Sequence, residues 1–161
     1  MPKVGLISDT HGLLRPEAVG VLRNSDVIVH AGDIGNPAVL MDLSVVAPVI
    51  AVRGNNDSGP WATALPEFDV LHVGDILIYV LHDLEDLDLD PVAAGFRVVV
   101  SGHSHKPSIA ERDGVLYVNP GSAGPRRFKL PIAVAELLIT GASVQARIVE
   151  LELAGTGVRA L

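Results

Sequence analysis

Short apolar runs punctuated by Gly, Pro, Asn and Asp recur along this chain, at residues 4–7, 27–30, 49–52, 76–81, 98–100, 116–118, 132–138 and 144–151. Each has the length of a strand. The earliest runs are apolar at nearly every position, which predicts strands buried on both faces. Stretches with helical marks separate the first three. The clearest starts at Pro16-Glu17 and continues to Asn24, since proline suits the first helical turn and a carboxylate there favours the helix dipole. The first third therefore predicts a β-α-β-α-β unit with a parallel sheet. Beyond residue 66 the pattern changes to runs joined by tight turns at Gly74-Asp75, Asp113-Gly114 and Gly141-Ala142, of which Asp-Gly is a strong hairpin signal. This second half is expected to be largely antiparallel, with one helix around residues 90–95. An α/β first half and a hairpin-rich second half predict two sheets packed face to face with helices outside.

Length and composition narrow the class. The 161 residues predict one domain, 1–161, with no linker or repeat. Hydrophobic residues make up 48% and charged residues 19%, which excludes disorder, and no apolar run is long enough to cross a bilayer. Met1-Pro2-Lys3 leads directly into the first apolar run, so no export signal is expected. With no cysteine, disulfides, thiolate nucleophiles and iron–sulfur clusters drop out, and the expected location is the cytoplasm. Twelve Lys and Arg against 19 Asp and Glu give a net charge of −7, which argues against a grip on duplex nucleic acid. An anionic substrate has to be attracted locally.

Residues able to coordinate a metal fall at the ends of the predicted strands. The first strand runs out into Asp9-Thr10-His11, the second into His30-Ala31-Gly32-Asp33, and the third into Arg53-Gly54-Asn55-Asn56-Asp57. His82 follows the run 76–81, and Ser101-Gly102-His103-Ser104-His105 follows 98–100. Active sites of parallel sheets gather outside the carboxyl ends of strands, so these five ends predict one common centre. Grouping several imidazoles and carboxylates in a partly desolvated pocket without a counter-ion costs several kcal/mol, so bound cations are the economical explanation. Oxygen and imidazole donors without sulfur suit Mn²⁺, Fe, Zn²⁺ or Ni²⁺ better than Mg²⁺ or Ca²⁺. A lone His72 or His30 reads as packed or exposed rather than ligating.

The ordered set Asp9-x-His11, Gly32-Asp33, Gly54-Asn55-Asn56-Asp57, His82 and Gly102-His103-Ser104-His105 resembles the calcineurin-like metallophosphoesterase superfamily, and within it the small bacterial and archaeal phosphodiesterase branch. Asn119-Pro120-Gly121-Ser122 with a following Arg is a further mark of that branch. The resemblance implies a four-layer α-β-β-α sandwich of two mixed sheets. It assigns Asp9, His11, Asp33 and His105 to one divalent ion and Asp33, Asn55, His82 and His103 to a second, with Asp33 as bridge. Asp33, Asn55 and His103 are also its catalytic set, and Mn²⁺ is the first metal by analogy. The activity implied is hydrolysis of a small-molecule phosphodiester by hydroxide bridging the two ions. Two ions against the charges of Asp9 and Asp33 leave the pocket at about +2, so a protein of negative net charge still binds a phosphate ester there.

The pattern departs from the superfamily at two positions. Many relatives carry His where this chain has Asn56, and an amide has no usable acid pKa, so the general acid is unassigned. His82 is followed by Asp83 where Gly is usual; if the backbone there is left-handed, Asp is among the least costly replacements. In residues 119–127, backbone N–H groups with Arg126 or Arg127 can hold ester oxygens; the plainer reading is a loop with two solvated arginines. The acidic stretch 83–90 reads as a solvated loop and helix start, and Trp61 either rims the pocket or packs. Two rivals stay open. One is a non-catalytic protein-interaction scaffold, a use the same fold has in a eukaryotic retromer subunit. The other is a phosphomonoesterase or nucleotide pyrophosphatase with the same metals. A homo-oligomer also stays open, with either arginine at its interface.

Overall fold

A computed structural model describes residues 1–153. Residues 154–161, included in the single domain expected from the sequence, lie outside the described residues. The strands are β1 (Lys3–Ile7), β2 (Val27–His30), β3 (Val49–Ala51), β4 (Phe68–Val73), β5 (Ile76–Leu81), β6 (Val98–Val100), β7 (Ser108–Arg112), β8 (Val115–Asn119), β9 (Ala133–Thr140) and β10 (Ser143–Glu150). The helices are α1 (Pro16–Leu22), α2 (Pro37–Val46), α3 (Pro60–Thr63) and α4 (Pro91–Ala94). One sheet has the order β10-β9-β1-β2-β3 and the other β4-β5-β6-β8-β7.

Alternation along the strands builds three apolar layers. Val4 and Leu6 of β1, Val29 of β2 and Leu137 of β9 point between the sheets, where they meet Ile78, Val80, Val98, Val100 and Val118 of the second sheet. The other face of the first sheet, with Ile7, Ile28 and Val134, packs on Ala18 and Leu22 of α1 and Val39 and Leu43 of α2. The other face of the second sheet, with Tyr79, Leu81, Val99 and Val115, is covered by Leu84, Leu87, Leu89 and Phe96. Layers therefore run α-β-β-α, and the last is thin: a single 3₁₀ turn at Leu84–Asp86 and the four-residue α4. Proline opens every helix, and Asp90 caps α4 by accepting from Val92 N and Ala93 N while Gly95 closes it in the left-handed region. No helix among the described residues is long and apolar enough to cross a membrane.

The first sheet has the expected parallel trio, with β1 beside β2 and β2 beside β3. All three expected hairpins form, β4 with β5, β7 with β8 and β9 with β10. The second half is less antiparallel than its turns suggest, because β5, β6 and β8 run parallel at the centre of their sheet. The cause is visible in burial: Val98–Val100 is buried at every position, as a strand covered on both faces must be, and the hairpin partners β4 and β7 take the edges. Both parallel trios send their carboxyl ends to one rim of the sandwich.

Candidate metal centre

Seven residues singled out as ligands follow the carboxyl ends of five parallel strands: Asp9 and His11 after β1, Asp33 after β2, Asn55 after β3, His82 after β5, and His103 and His105 after β6. Backbone bonds lace these loops together. Asp9 N–H donates to Gly32 O at 3.0 Å, His11 N–H to Asp33 O at 3.0 Å, and Gly102 N–H to His82 O at 2.9 Å. The chain also turns in an unusual way at the ligands. Asp9, His11, Asp33, His103 and His105 all have positive φ, between 47° and 72°, a region non-glycine residues seldom occupy.

The donor atoms converge on two overlapping groups, Asp9 with His11 and His105, and Asp9 with Asp33 and His82, each with its candidate atoms within 4.8 Å of one another. His11 Nε2 faces His105 Nε2 at 3.4 Å and lies 3.9 Å from Asp33 Oδ2. His82 Nε2 is 3.3 Å from Asp33 Oδ2 and 3.9 Å from Asp9 Oδ1. Asp33 thus reaches toward both sides, and so does Asp9. Asn55 and His103 stand on the solvent side: His103 Nδ1 is 3.2 Å from Asn55 Oδ1, its ring meets His82 edge-on, and its Nε2 is 3.6 Å from Asp83 Oδ2.

A frame of hydrogen bonds fixes which atoms face the centre. Asp9 Oδ2 accepts from Ser8 Oγ at 2.7 Å and from His103 N–H at 3.1 Å, which leaves Oδ1 turned inward. His82 Nδ1 donates to Ala31 O at 2.7 Å, so in the neutral ring the lone pair is on Nε2, the arrangement typical of a metal-ligating imidazole. Asp33 Oδ1 accepts from Asn56 N–H at 2.8 Å and its Oδ2 from Asn56 Nδ2 at 3.1 Å. The asparagine that stands where many relatives carry histidine is therefore a clamp on Asp33. Sequence reasoning missed that role, because a contact across 23 residues leaves no local signal.

Three buried atoms of this centre have no hydrogen-bond partner: Asp9 Oδ1, His82 Nε2 and His105 Nδ1. A buried polar atom left bare costs about 1–3 kcal/mol, so Asp9 Oδ1 and His82 Nε2, which face each other and Asp33 across the centre, call for a cation. Imidazole nitrogen and carboxylate oxygen, with no sulfur, fit a divalent transition metal. Ionisation points the same way. Burial pushes the Asp9 carboxyl up. At Asp33 burial also pushes up, but the contacts of His82 and the Asn56 N–H outweigh it and hold the carboxyl well below the usual carboxylate range. Burial alone would depress His82, yet the facing Asp33 and Asp9 carboxylates raise it instead. The carboxylates draw positive charge to this point. His105 is pulled down, chiefly by burial.

Several other residues around the centre are structural. His30 is fully buried, with its pKa pushed down to about 3 by burial; Gly32 N–H donates to its Nδ1 at 3.1 Å and its Nε2 meets Thr10 Oγ1 at 3.0 Å. Asn119 Nδ2 donates to Gly102 O and to Ser104 Oγ, while Ser122 Oγ donates to Asp9 O at 2.9 Å. Residues 119–122 therefore buckle the His103 loop to the Asp9 loop, and this explains their burial better than ester contact does. Arg126 and Arg127 are exposed; Arg127 is near enough to act electrostatically on His105. Asp83 has extended backbone, φ −115° and ψ 119°, so the His82 loop needs no glycine there. Glycine matters at 102 instead, where a Cβ would strike Ser8 Oγ and lie 2.6 Å from Asp9 Oδ2. Trp61 packs against the layer under α1 and α2.

Residues 2–141 match the calcineurin-like phosphoesterase superfamily domain. The chain belongs to that superfamily. A probable metallophosphoesterase of Methanothermobacter thermautotrophicus is 33% identical over 158 residues, covering 91% of each chain. Among solved structures, vacuolar protein sorting 29 from Cryptosporidium parvum superposes with a TM-score of 0.80 at 21% identity, over 94% of this chain and 92% of that one. An archaeal phosphodiesterase superposes with a TM-score of 0.76 at 23% identity, over 91% of this chain and 99% of that one. The two structures share the fold of this chain, and its four layers are those the superfamily resemblance implied.

Proposed function

We propose that the protein is a metal-dependent phosphodiesterase of the cytoplasm, acting on a small-molecule diester at a binuclear centre. One divalent ion would be held by Asp9, His11, Asp33 and His105, and the other by Asp33, Asn55, His82 and His103, with Mn²⁺ the first candidate. The observation that carries this reading is the pair of overlapping donor groups whose buried atoms lack partners. When bound, such ions supply Lewis acidity toward phosphoryl oxygens and make water acidic enough to act as a nucleophile near neutral pH.

The chain's own residues do the rest. Ser8 and the His103 N–H aim Asp9, Asn56 aims Asp33, and Ala31 fixes the His82 tautomer, so the donors need little reorganisation to receive charge. Asn55 and His103 are exposed, on the side from which an ester must arrive. Asn56 supplies no proton to a leaving group. Rates should therefore fall steeply as the leaving alcohol becomes more basic.

The deciding experiment measures metal content and activity on the same purified sample. About two transition-metal ions per chain are expected, with hydrolysis of bis-p-nitrophenyl phosphate that is lost to chelator and restored by Mn²⁺. A second reading, a protein-interaction scaffold, draws on the superposition with vacuolar protein sorting 29. Protein that stays inert after metal reconstitution would favour it. A monoester turned over much faster than the diester would point to a phosphomonoesterase.

A further inference from the structure

Beside the metal centre lies a cleft of about 560 Å³ whose wall includes Asn55 and His82, in the size range of small-ligand pockets. His82, 5% exposed and with no hydrogen-bond partner at Nε2, lies in both the cleft wall and the centre. The remaining wall is unusual for a protein that handles phosphate. Four carboxylates line it against a single guanidinium, and that guanidinium, Arg53, is already paired with Glu67 at 2.9 Å. Asp83 sits at the His103 edge, 3.6 Å from its Nε2. Asp86 and Asp88 are exposed, and among the described residues no cationic side chain pairs with either.

The same wall presents an aromatic face. Phe68 is 57% exposed, and its ring is stacked on buried Tyr79 with centroids 5.7 Å apart and planes at 20°. Tyr79 is in turn braced edge-on by Phe96 at 5.1 Å, so the face is held rigid from behind. Asp88 lines the same cleft as this aromatic pair, and burial, together with its carboxylate, pushes the Tyr79 phenol up. An aromatic face flanked by unpaired carboxylates attracts an organic cation and repels further anionic groups.

We infer that this cleft receives one alcohol arm of the substrate diester and selects an arm bearing an ammonium group, of the choline or ethanolamine type. The inference rests on the phosphodiesterase reading. Opposite charges then fall at opposite ends of one substrate: the anionic phosphoryl group at the metal ligands, the cationic arm between Phe68 and Asp86 with Asp88. Hydrolysis adds water across one P–O bond and gives an alcohol and a phosphate monoester. Diesters with additional phosphates, and polynucleotides, are disfavoured by the same wall.

The test compares Mn²⁺-loaded protein on p-nitrophenyl phosphorylcholine and on its uncharged isostere, p-nitrophenyl 3,3-dimethylbutyl phosphate. The expected kcat/KM ratio is about ten or more in favour of the cation. It should fall several-fold in D86N/D88N and in F68L, and with added salt. Calorimetry with phosphocholine and 3,3-dimethylbutyl phosphate supplies a binding readout that needs no turnover. If both diesters are hydrolysed at equal efficiency, the inference is overturned and the phosphodiesterase reading stands. If no diester is hydrolysed, the phosphodiesterase reading fails; tighter binding of phosphocholine would still support the cleft's selectivity, and equal binding would overturn it.

Discussion

Asp57 is the residue whose removal best tests how the centre is held together. It is 7% exposed, and its carboxylate accepts three backbone N–H groups: Oδ1 from Ile34 at 2.9 Å and Gly35 at 3.0 Å, and Oδ2 from Gly54 at 2.9 Å. Two of those donors follow Asp33 directly and the third precedes Asn55, so one side chain ties the loop after β2 to the loop after β3. Asp57→Ala leaves three donors unpaired. At about 1–3 kcal/mol each, reduced by relaxation and entering water, the expected loss is about 3–5 kcal/mol. For a chain of this size 1 kcal/mol corresponds to about 2–4 °C, which predicts a Tm lower by about 6–20 °C. Asp57→Asn keeps the shape and two acceptor contacts but turns Nδ2 against Gly54 N–H, so about half that loss is expected. The assay is thermal denaturation of chelator-treated protein, followed by calorimetric titration with Mn²⁺. Weaker binding is expected in both variants, because Asp33 loses its support. A Tm for Asp57→Ala within about 2 °C of the parent would refute this account of the tie.

Asp33→Ala should release both ions and abolish turnover, whereas His11→Ala should weaken one centre first; elemental analysis of the two variants after dialysis separates these outcomes. Glu136, buried on β9, is held below its ordinary value of 4.5: burial pushes it up, but Lys3 and Arg147 outweigh that. Its contribution is therefore present above pH 4.5 and lost as pH falls through the lower folded value, so Glu136→Gln should melt about 2–6 °C lower at pH 7, with the difference shrinking below about pH 4. Equal melting temperatures at pH 7 would contradict it. Arg127→Ala should raise KM for bis-p-nitrophenyl phosphate at unchanged metal content, and unchanged kinetics would remove Arg127 from the site.

How much of this was visible in the sequence depends on the range of each interaction. Local chemistry was legible: Asp90-Pro91 and Gly95 bracket α4, and Asp113-Gly114 makes its hairpin turn with φ of 53° and 82°. Strand-end clustering was legible too, because a parallel sheet converts sequence position into position along one rim. The parallel centre of the second sheet was not, since three-residue β6 carries no mark of its neighbours. β7, whose five residues are all exposed and form no apolar run, was legible only through the hairpin signal at Asp113-Gly114. The frame around the ligands was the least legible part. Asn56 on Asp33, Asn119 on Gly102 and Ser122 on Asp9 act across 23, 17 and 113 residues, and each reads locally as an ordinary turn residue. The departure at Asp83 mattered only if the backbone there were left-handed, and the loop turns out to be extended.

The backbone at the ligands bears on what the site is for. Five of the seven candidate ligands are non-glycine residues at positive φ, a conformation costing on the order of 1 kcal/mol or more each. Asp and His tolerate it better than most residues, but nothing in the packing of two sheets requires a turn of that kind at five places along one rim. The turns do serve one purpose: they bring imidazole and carboxylate atoms from β1, β2, β5 and β6 within a few ångströms, with Asp9 and His82 each tied down at one side-chain atom and bare at the other. The fold, shared with vacuolar protein sorting 29, leaves catalysis and docking equally open. The loops support the proposed metal-binding reading: strain and unmet hydrogen bonds accumulate on one set of residues, and a bound cation pair would relieve the second cost while giving the first a use.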